Sequence, residues 1–226
     1  MNPFVKQVAL ELSWLQPPPV FIGGSVLGFY LDAFGRSQLR TTLDVDIIIP
    51  AITTYHLWTQ LEAHLRKNRW NPDQEGPICR YRSPTGILVD FLPKEPNVLG
   101  FAGIWYEEIS KRPQIVLFDD VSIQIAQPAH FLATKIEAFE DRGLQDPILS
   151  HDLEDIISLI DGCADLLSSI KKQNPTMRQW IQEKMIFISK QDWFQDAVTG
   201  NLPRGPNQQQ REEHLFQKWS LIIQIN

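Results

Sequence analysis

The sequence predicts an α+β protein in two parts, and three observations carry that prediction. Short runs of β-branched and aromatic residues bounded by Gly and Pro recur from Val20 to Ile125. From Pro128 onward such runs become rare, and apolar residues repeat at three- and four-residue spacing instead. No long flexible linker separates the halves, so residues 1–127 are expected as a mixed β-sheet flanked by helices and 128–226 as a helical bundle.

Val5, Val8, Ala9, Leu12 and Leu15 share one helical face, which predicts a helix over 4–15, stopped by Pro17-Pro18-Pro19. Residues 20–22 form a first strand, and 25–33 read as a helix after Gly23-Gly24. A strand over 44–49 closes at Pro50, and 54–67 is helical. Strands over 79–83 and 87–92 meet through Ser83-Pro84-Thr85-Gly86, a hairpin-type turn. Two more, over 115–118 and 121–125, flank Asp119-Asp120. Helices are expected over 129–141, 152–161 and 177–188. The proline- and glutamine-containing stretch 201–210 reads as a mobile loop before a last helix over 211–223.

Composition excludes several classes. The longest apolar runs, such as Ile47-Ile48-Ile49, fall far short of the ~20 residues that span a bilayer, so no membrane helix is expected. Residues 1–16 carry Lys6 and Glu11 and lack a small-residue cleavage site, so they do not read as a signal peptide, and a cytoplasmic location is expected. Cys79 and Cys163 lie far apart without zinc-ligand spacing and read as ordinary thiols. A net charge of −6 argues against non-specific coating of nucleic acid but leaves room for one defined RNA.

The most informative residues are Asp44 and Asp46. On a strand they project to the same side, with Val45 and Ile47 to the other. Two ionised carboxylates so close repel unless a cation sits between them, and an oxygen-ligand site for Mg2+ or Mn2+ is the usual solution. An exposed edge strand with two aspartates on its solvent face is the alternative. Gly23 and Gly24 let the main chain approach an anion, and Ser25 either caps the following helix or donates to a phosphate. Asp90 lies in an otherwise apolar strand, where an unpaired carboxylate would be costly, and metal ligation would explain it.

Gly23-Gly24-Ser25, then Asp44 with Asp46, then Asp90, resemble in order and kind the nucleotidyltransferase superfamily of the polymerase beta type. Lys135-Ile136-Glu137-Ala138 and His151-Asp152-Leu153-Glu154-Asp155-Ile156 resemble the helical motifs of its AbiEii/AbiGii toxin branch. The resemblance covers roughly residues 20–160. It implies a nucleotidyltransferase-type catalytic domain over 1–127 and a helical domain over 128–226 closing a nucleotide cleft. It also implies that Asp44, Asp46 and Asp90 hold metal and carry catalysis. Gly23, Gly24, Ser25, Lys135 and Asp152 or Asp155 would hold nucleotide. Read from the residues alone, Lys135 either directs its ammonium into a cleft or is a surface lysine, and Asp152 or Ser150 serves equally as a helix cap.

Arg40 reads either as a phosphate or acceptor contact or as a surface arginine. The histidines lack paired metal spacing; His151 stands out only for its place beside Asp152, and the scattered tryptophans read as core. The resulting expectation is a magnesium-dependent transferase moving a nucleoside monophosphate from an NTP to an acceptor hydroxyl. The resemblance implies an RNA 3′ end, a protein or a small molecule as acceptor, and includes the toxin of a toxin-antitoxin pair with an antitoxin protein as partner. The rival expectation is a catalytically silent nucleotide-binding or interaction protein with the same fold.

Overall fold

The computed structural model describes residues 1–202, 205 and 207–225. Its class is α+β, with a seven-stranded mixed sheet. The chain divides into two compact units, one of Met1–Val26 with Arg40–Gln127 and one of Leu27–Leu39 with Pro128–Asn226. The chain thus passes between units at Gln127, where the composition changes, and the segment Leu27–Leu39 belongs with the helices.

In the first unit α1 (Pro3–Glu11) starts at Asn2, whose side chain accepts from the Phe4 N–H at 2.9 Å, and buries Val5 and Val8. It is followed by β1 (Val20–Ile22), a 3-10 helix (Gly24–Phe29) and, in the other unit, α2 (Ala33–Ser37). The helix expected over 25–33 is therefore replaced by two short pieces. Glycines at 24 and 28 weaken an α-helix here. The chain continues through β2 (Asp44–Ile49), α3 (Tyr55–Lys67), β3 (Asn71–Pro72), β4 (Arg80–Arg82) and β5 (Leu88–Pro93). The unit closes with α4 (Pro96–Leu99), α5 (Tyr106–Lys111), β6 (Gln114–Phe118) and β7 (Val121–Ile125).

The strand order is β3-β4-β5-β2-β1-β7-β6. β2 runs parallel to β5 and antiparallel to β1, so it lies inside the sheet. That removes the exposed-edge explanation for Asp44 and Asp46. Around them Val45, Ile47, Ile48, Ile49, Val89 and Phe91 are fully buried, which fixes the register by keeping the apolar side chains inside. At the β4–β5 turn Gly86 has φ +90°, and the Ser83 Oγ accepts from the Thr85 and Ile87 N–H groups, both at 3.2 Å.

In the second unit α6 (Pro128–Ala138) runs into a π turn (Phe139–Gly143), followed by α7 (His151–Gly162), α8 (Leu166–Lys171), α9 (Pro175–Ser189), α10 (Phe194–Asn201) and α11 (Gln208–Ile223). The loop expected over 201–210 lies in part outside the described residues; Asn201 ends α10 and Gln208 opens α11. Most positions of α7 are buried, as suits a helix surrounded by others. The segment Leu27–Leu39 joins this unit through Tyr30, which packs against Phe131 at 5.2 Å, and Asp32, whose N–H donates to the Gly162 carbonyl at 3.1 Å. Among the described residues no helix is long and apolar enough to cross a membrane. Cys79 and Cys163 are buried free thiols, and Trp58, Trp70, Trp105 and Trp219 are core residues.

Candidate functional site

Sheet register assembles the site in the first unit. Across three adjacent strands Arg80 stands opposite Asp90, and Asp90 opposite Asp46, so all three side chains emerge on one face; Asp44, two residues from Asp46, shares it. Beyond Asp46 the row continues to Ile22, the last residue of β1, after which the chain turns at Gly23. Gly23 has φ +71°, and a Cβ placed there would stand 1.9 Å from the Asp46 Oδ2. The Asp46 carboxylate therefore lies directly over the glycine main chain, and no side chain fits between them.

Asp90 is 8% exposed and is held by Arg80 through both oxygens: Nε donates to Oδ1 and Nη2 to Oδ2, each at 2.7 Å. The same Nη2 reaches the Asp44 Oδ2 at 3.3 Å. Arg80 is thus the residue that the sequence reading missed. Its two-point bond offsets the cost of burying Asp90, which had been assigned to a metal. A signal for it existed: a turn centred on Thr85 places residue 80 opposite residue 90. Hydrogen bonding to Asp90, more than the opposing effect of burial, drives the Arg80 pKa further up. Burial first, and Asp90 second, push the neighbouring Cys79 thiol up to about 12, which leaves it protonated and poorly nucleophilic at neutral pH.

Ser25 is buried, and its Oγ donates to the Ile22 carbonyl at 3.4 Å, so the hydroxyl is turned back on the main chain. Gly24 is half-buried beside it, and Arg40, which opens the second segment of this unit, is also half-buried. The carboxylate pair at Asp44 and Asp46 is a hard-oxygen set suited to Mg2+ or Mn2+. Asp90, on the same face, is engaged by Arg80 through both oxygens. Among the described residues no three His, Cys, Asp or Glu side chains come together as a metal cage.

The remaining predicted residues form a separate cluster in the second unit. Lys135 is 6% exposed, and its Nζ lies 3.0 Å from Asp152 Oδ1 and 2.6 Å from Asp155 Oδ2. Arg142, on the π turn, donates to Asp152 from Nε at 2.7 Å and from Nη2 at 3.1 Å. Burial pulls the Lys135 pKa down, but Asp155 and then Asp152 outweigh it and the net shift is upward. Burial likewise pushes Asp152 up, but the Arg142 hydrogen bonds and the Lys135 charge hold it below its ordinary range. Lys135 is therefore not a surface lysine, and its ammonium is engaged by two carboxylates of its own unit. Asp152 is not the helix cap; Ser150 is, accepting from the Leu153 N–H at 3.4 Å. His151 is exposed and faces Glu154 at 3.2 Å.

Comparison of the chain with family models, with curated proteins and with solved structures finds no match in any of the three.

Proposed function

We propose that the chain is a divalent-metal-dependent nucleotidyltransferase whose chemistry resides in the first unit. The observation that carries this reading is the in-register row of Asp46 and Asp90 with Asp44 on the same face, the Asp46 carboxylate lying on a left-handed glycine turn. Asp44 and Asp46 are the residues that would hold Mg2+ or Mn2+. When bound, such an ion would lower the pKa of the acceptor hydroxyl and offset charge developing on the triphosphate. The Gly23-Gly24 main chain would receive phosphate oxygens through its N–H groups, because the Ser25 hydroxyl is turned away. The acceptor oxygen bonds to the α-phosphorus, the bond to the β-phosphate oxygen breaks, pyrophosphate leaves, and the hydroxyl proton passes to Asp90 or to water. An RNA end, a protein hydroxyl or a small molecule all offer that nucleophile. Lys135, Asp152 and Asp155 are assigned here to holding the helical unit together.

One observation favours a second reading. Arg80 already neutralises Asp90, as suits a nucleotide-binding protein without turnover, such as one held by a neutralising partner. Incubation with each α-labelled nucleoside triphosphate, Mg2+ or Mn2+, and a mixture of cell RNA and protein separates the two. Label transfer that Asp46→Ala abolishes and Asp90→Asn reduces at least tenfold, with nucleotide binding retained in the latter, is the expected result. Metal-dependent nucleotide binding with no transfer to any acceptor establishes the second reading instead.

A further inference from the structure

The sheet of the first unit ends at β6, and this edge is unusually apolar. Ile115 and Leu117 are 69% and 71% exposed and project to the same face. Phe118 opposite Val121 closes a two-residue hairpin over Asp119-Asp120. Ladder hydrogen bonds in such a hairpin fall on alternate pairs, here Phe118, Val116 and Gln114 with their partners on β7. The N–H and C=O of Ile115 and Leu117 consequently point away from β7, to the open edge. Natural proteins blunt such edges with charge or proline; β6 has these only outside its apolar core, in Arg112, Pro113, Asp119 and Asp120.

We propose that β6 is a self-association edge: β6 of one copy pairs antiparallel with β6 of a second copy in the register centred on Val116. In that register Ile115 lies opposite Leu117 of the second copy, and the reverse, so each outward N–H and C=O finds a partner and four main-chain hydrogen bonds form. The same register brings Arg112, which precedes the strand, towards the Asp119-Asp120 turn of the second copy. Within one copy Asp119 and Asp120 share the single ammonium of Lys6, at 3.0 and 2.7 Å, which leaves one negative charge that Arg112 of the second copy would meet. Slipping by two residues in one direction brings Pro113, which has no N–H, opposite Leu117. Slipping the other way brings Ile115 opposite Asp119, whose φ of +54° takes it out of the strand. The sequence around Val116 therefore selects one register and one occupant, another copy of itself. Four main-chain hydrogen bonds and the Ile115 and Leu117 pairs make a contact confined to one short strand, so the dimer forms and dissociates with concentration.

Sedimentation of the full chain across a concentration series should show the mass rising from 26.0 kDa towards twice that value. Ile115→Lys with Leu117→Lys, both at exposed positions, should hold the protein at 26.0 kDa at every concentration with an unchanged melting temperature. Arg112→Glu should weaken association at least fivefold, and adding Asp120→Arg should restore it. Val116→Cys, placed on the two-fold axis where Cα atoms of a non-hydrogen-bonded pair stand about 4.5 Å apart, should form an intermolecular disulfide. Ile115→Cys should not, since its own copy lies about 7–8 Å away on the diagonal. A chain that stays monomeric at high concentration, a dimer that survives the double lysine variant, or equal cross-linking at 115 and 116 would each overturn the proposal.

Discussion

The two clusters of charged residues each set aspartates against an arginine, the second adding Lys135, and they differ in what surrounds them. In the first unit Asp44 is 39% exposed and Arg80 23%, and the Arg80 contact to Asp44 is long, at 3.3 Å. In the second unit the side chains of Lys135, Asp152 and Asp155 are 8%, 5% and 4% exposed, and Lys135 meets both carboxylates at 3.0 Å or less. A solute can approach Asp44 without breaking a buried contact, although Asp90 behind it is closed off by Arg80. To reach Lys135 it must first replace two close ion pairs in a poorly solvated environment, where a lost partner is costly. The sequence resemblance assigns both groups to nucleotide; they differ in exposure, and the proposed function builds on that difference.

That contrast can be broken most directly at Lys135. Lys135→Ala leaves Asp152 and Asp155 buried beside each other without their shared ammonium, and removing one partner of such a group costs about 3–5 kcal/mol. Hydrogen exchange should show protection of the α6 and α7 amides falling accordingly, while β2 and β5 amides change little. Unchanged protection in α6 and α7 would show that the lysine is not a structural ion and would return it to the ligand-binding candidates.

The next effect belongs to Gly23. Gly23→Ala forces a side chain into a left-handed conformation, which costs about 1–2 kcal/mol, and drives its Cβ into the Asp46 carboxylate. The expected outcome is a comparable loss in urea unfolding together with at least a tenfold weaker Mn2+ affinity, measured by electron paramagnetic resonance. Because the carboxylate is displaced rather than removed, wild-type Mn2+ affinity in this variant would detach Asp46 from the metal.

Much of this was legible in the sequence, and the parts that were not have a common cause. The facing of Asp44 and Asp46, the β4–β5 hairpin and the strand on either side of Asp119-Asp120 follow from alternation and turn chemistry within a few residues of chain. Pairing between distant segments does not. Residues 25–33 read locally as one helix, but Tyr30 packs against Phe131 and Leu31 lies beside Gly162, both a hundred or more residues onward. Periodicity shows that Lys135 lies on α6 and Asp152 and Asp155 on one side of α7; it does not give the rotation of one helix against the other, which is what makes them an ion cluster. Arg80 falls between these cases. Its strand and turn were read, and counting outward from the turn would have set it opposite Asp90.

The smallest effect tests the rim of the buried cluster. The side chain of Arg142 is 69% exposed, so solvent screens its attraction to Asp152, and Arg142→Ala should cost no more than about 1 kcal/mol at neutral pH. Its signature lies in acid. Asp152 has a folded pKa below its ordinary 3.8, so it contributes stability that is complete above that value and is lost as pH falls through the folded one. Burial alone would push this carboxyl up, and the Arg142 hydrogen bonds are the largest influence opposing it. Without Arg142 the folded pKa rises, and the acid decline in α7 protection moves to higher pH. A parallel downward displacement of the whole stability curve, with its acid limb unmoved, would mean that Arg142 contributes packing through its aliphatic stem and leaves the charge of Asp152 to Lys135 alone.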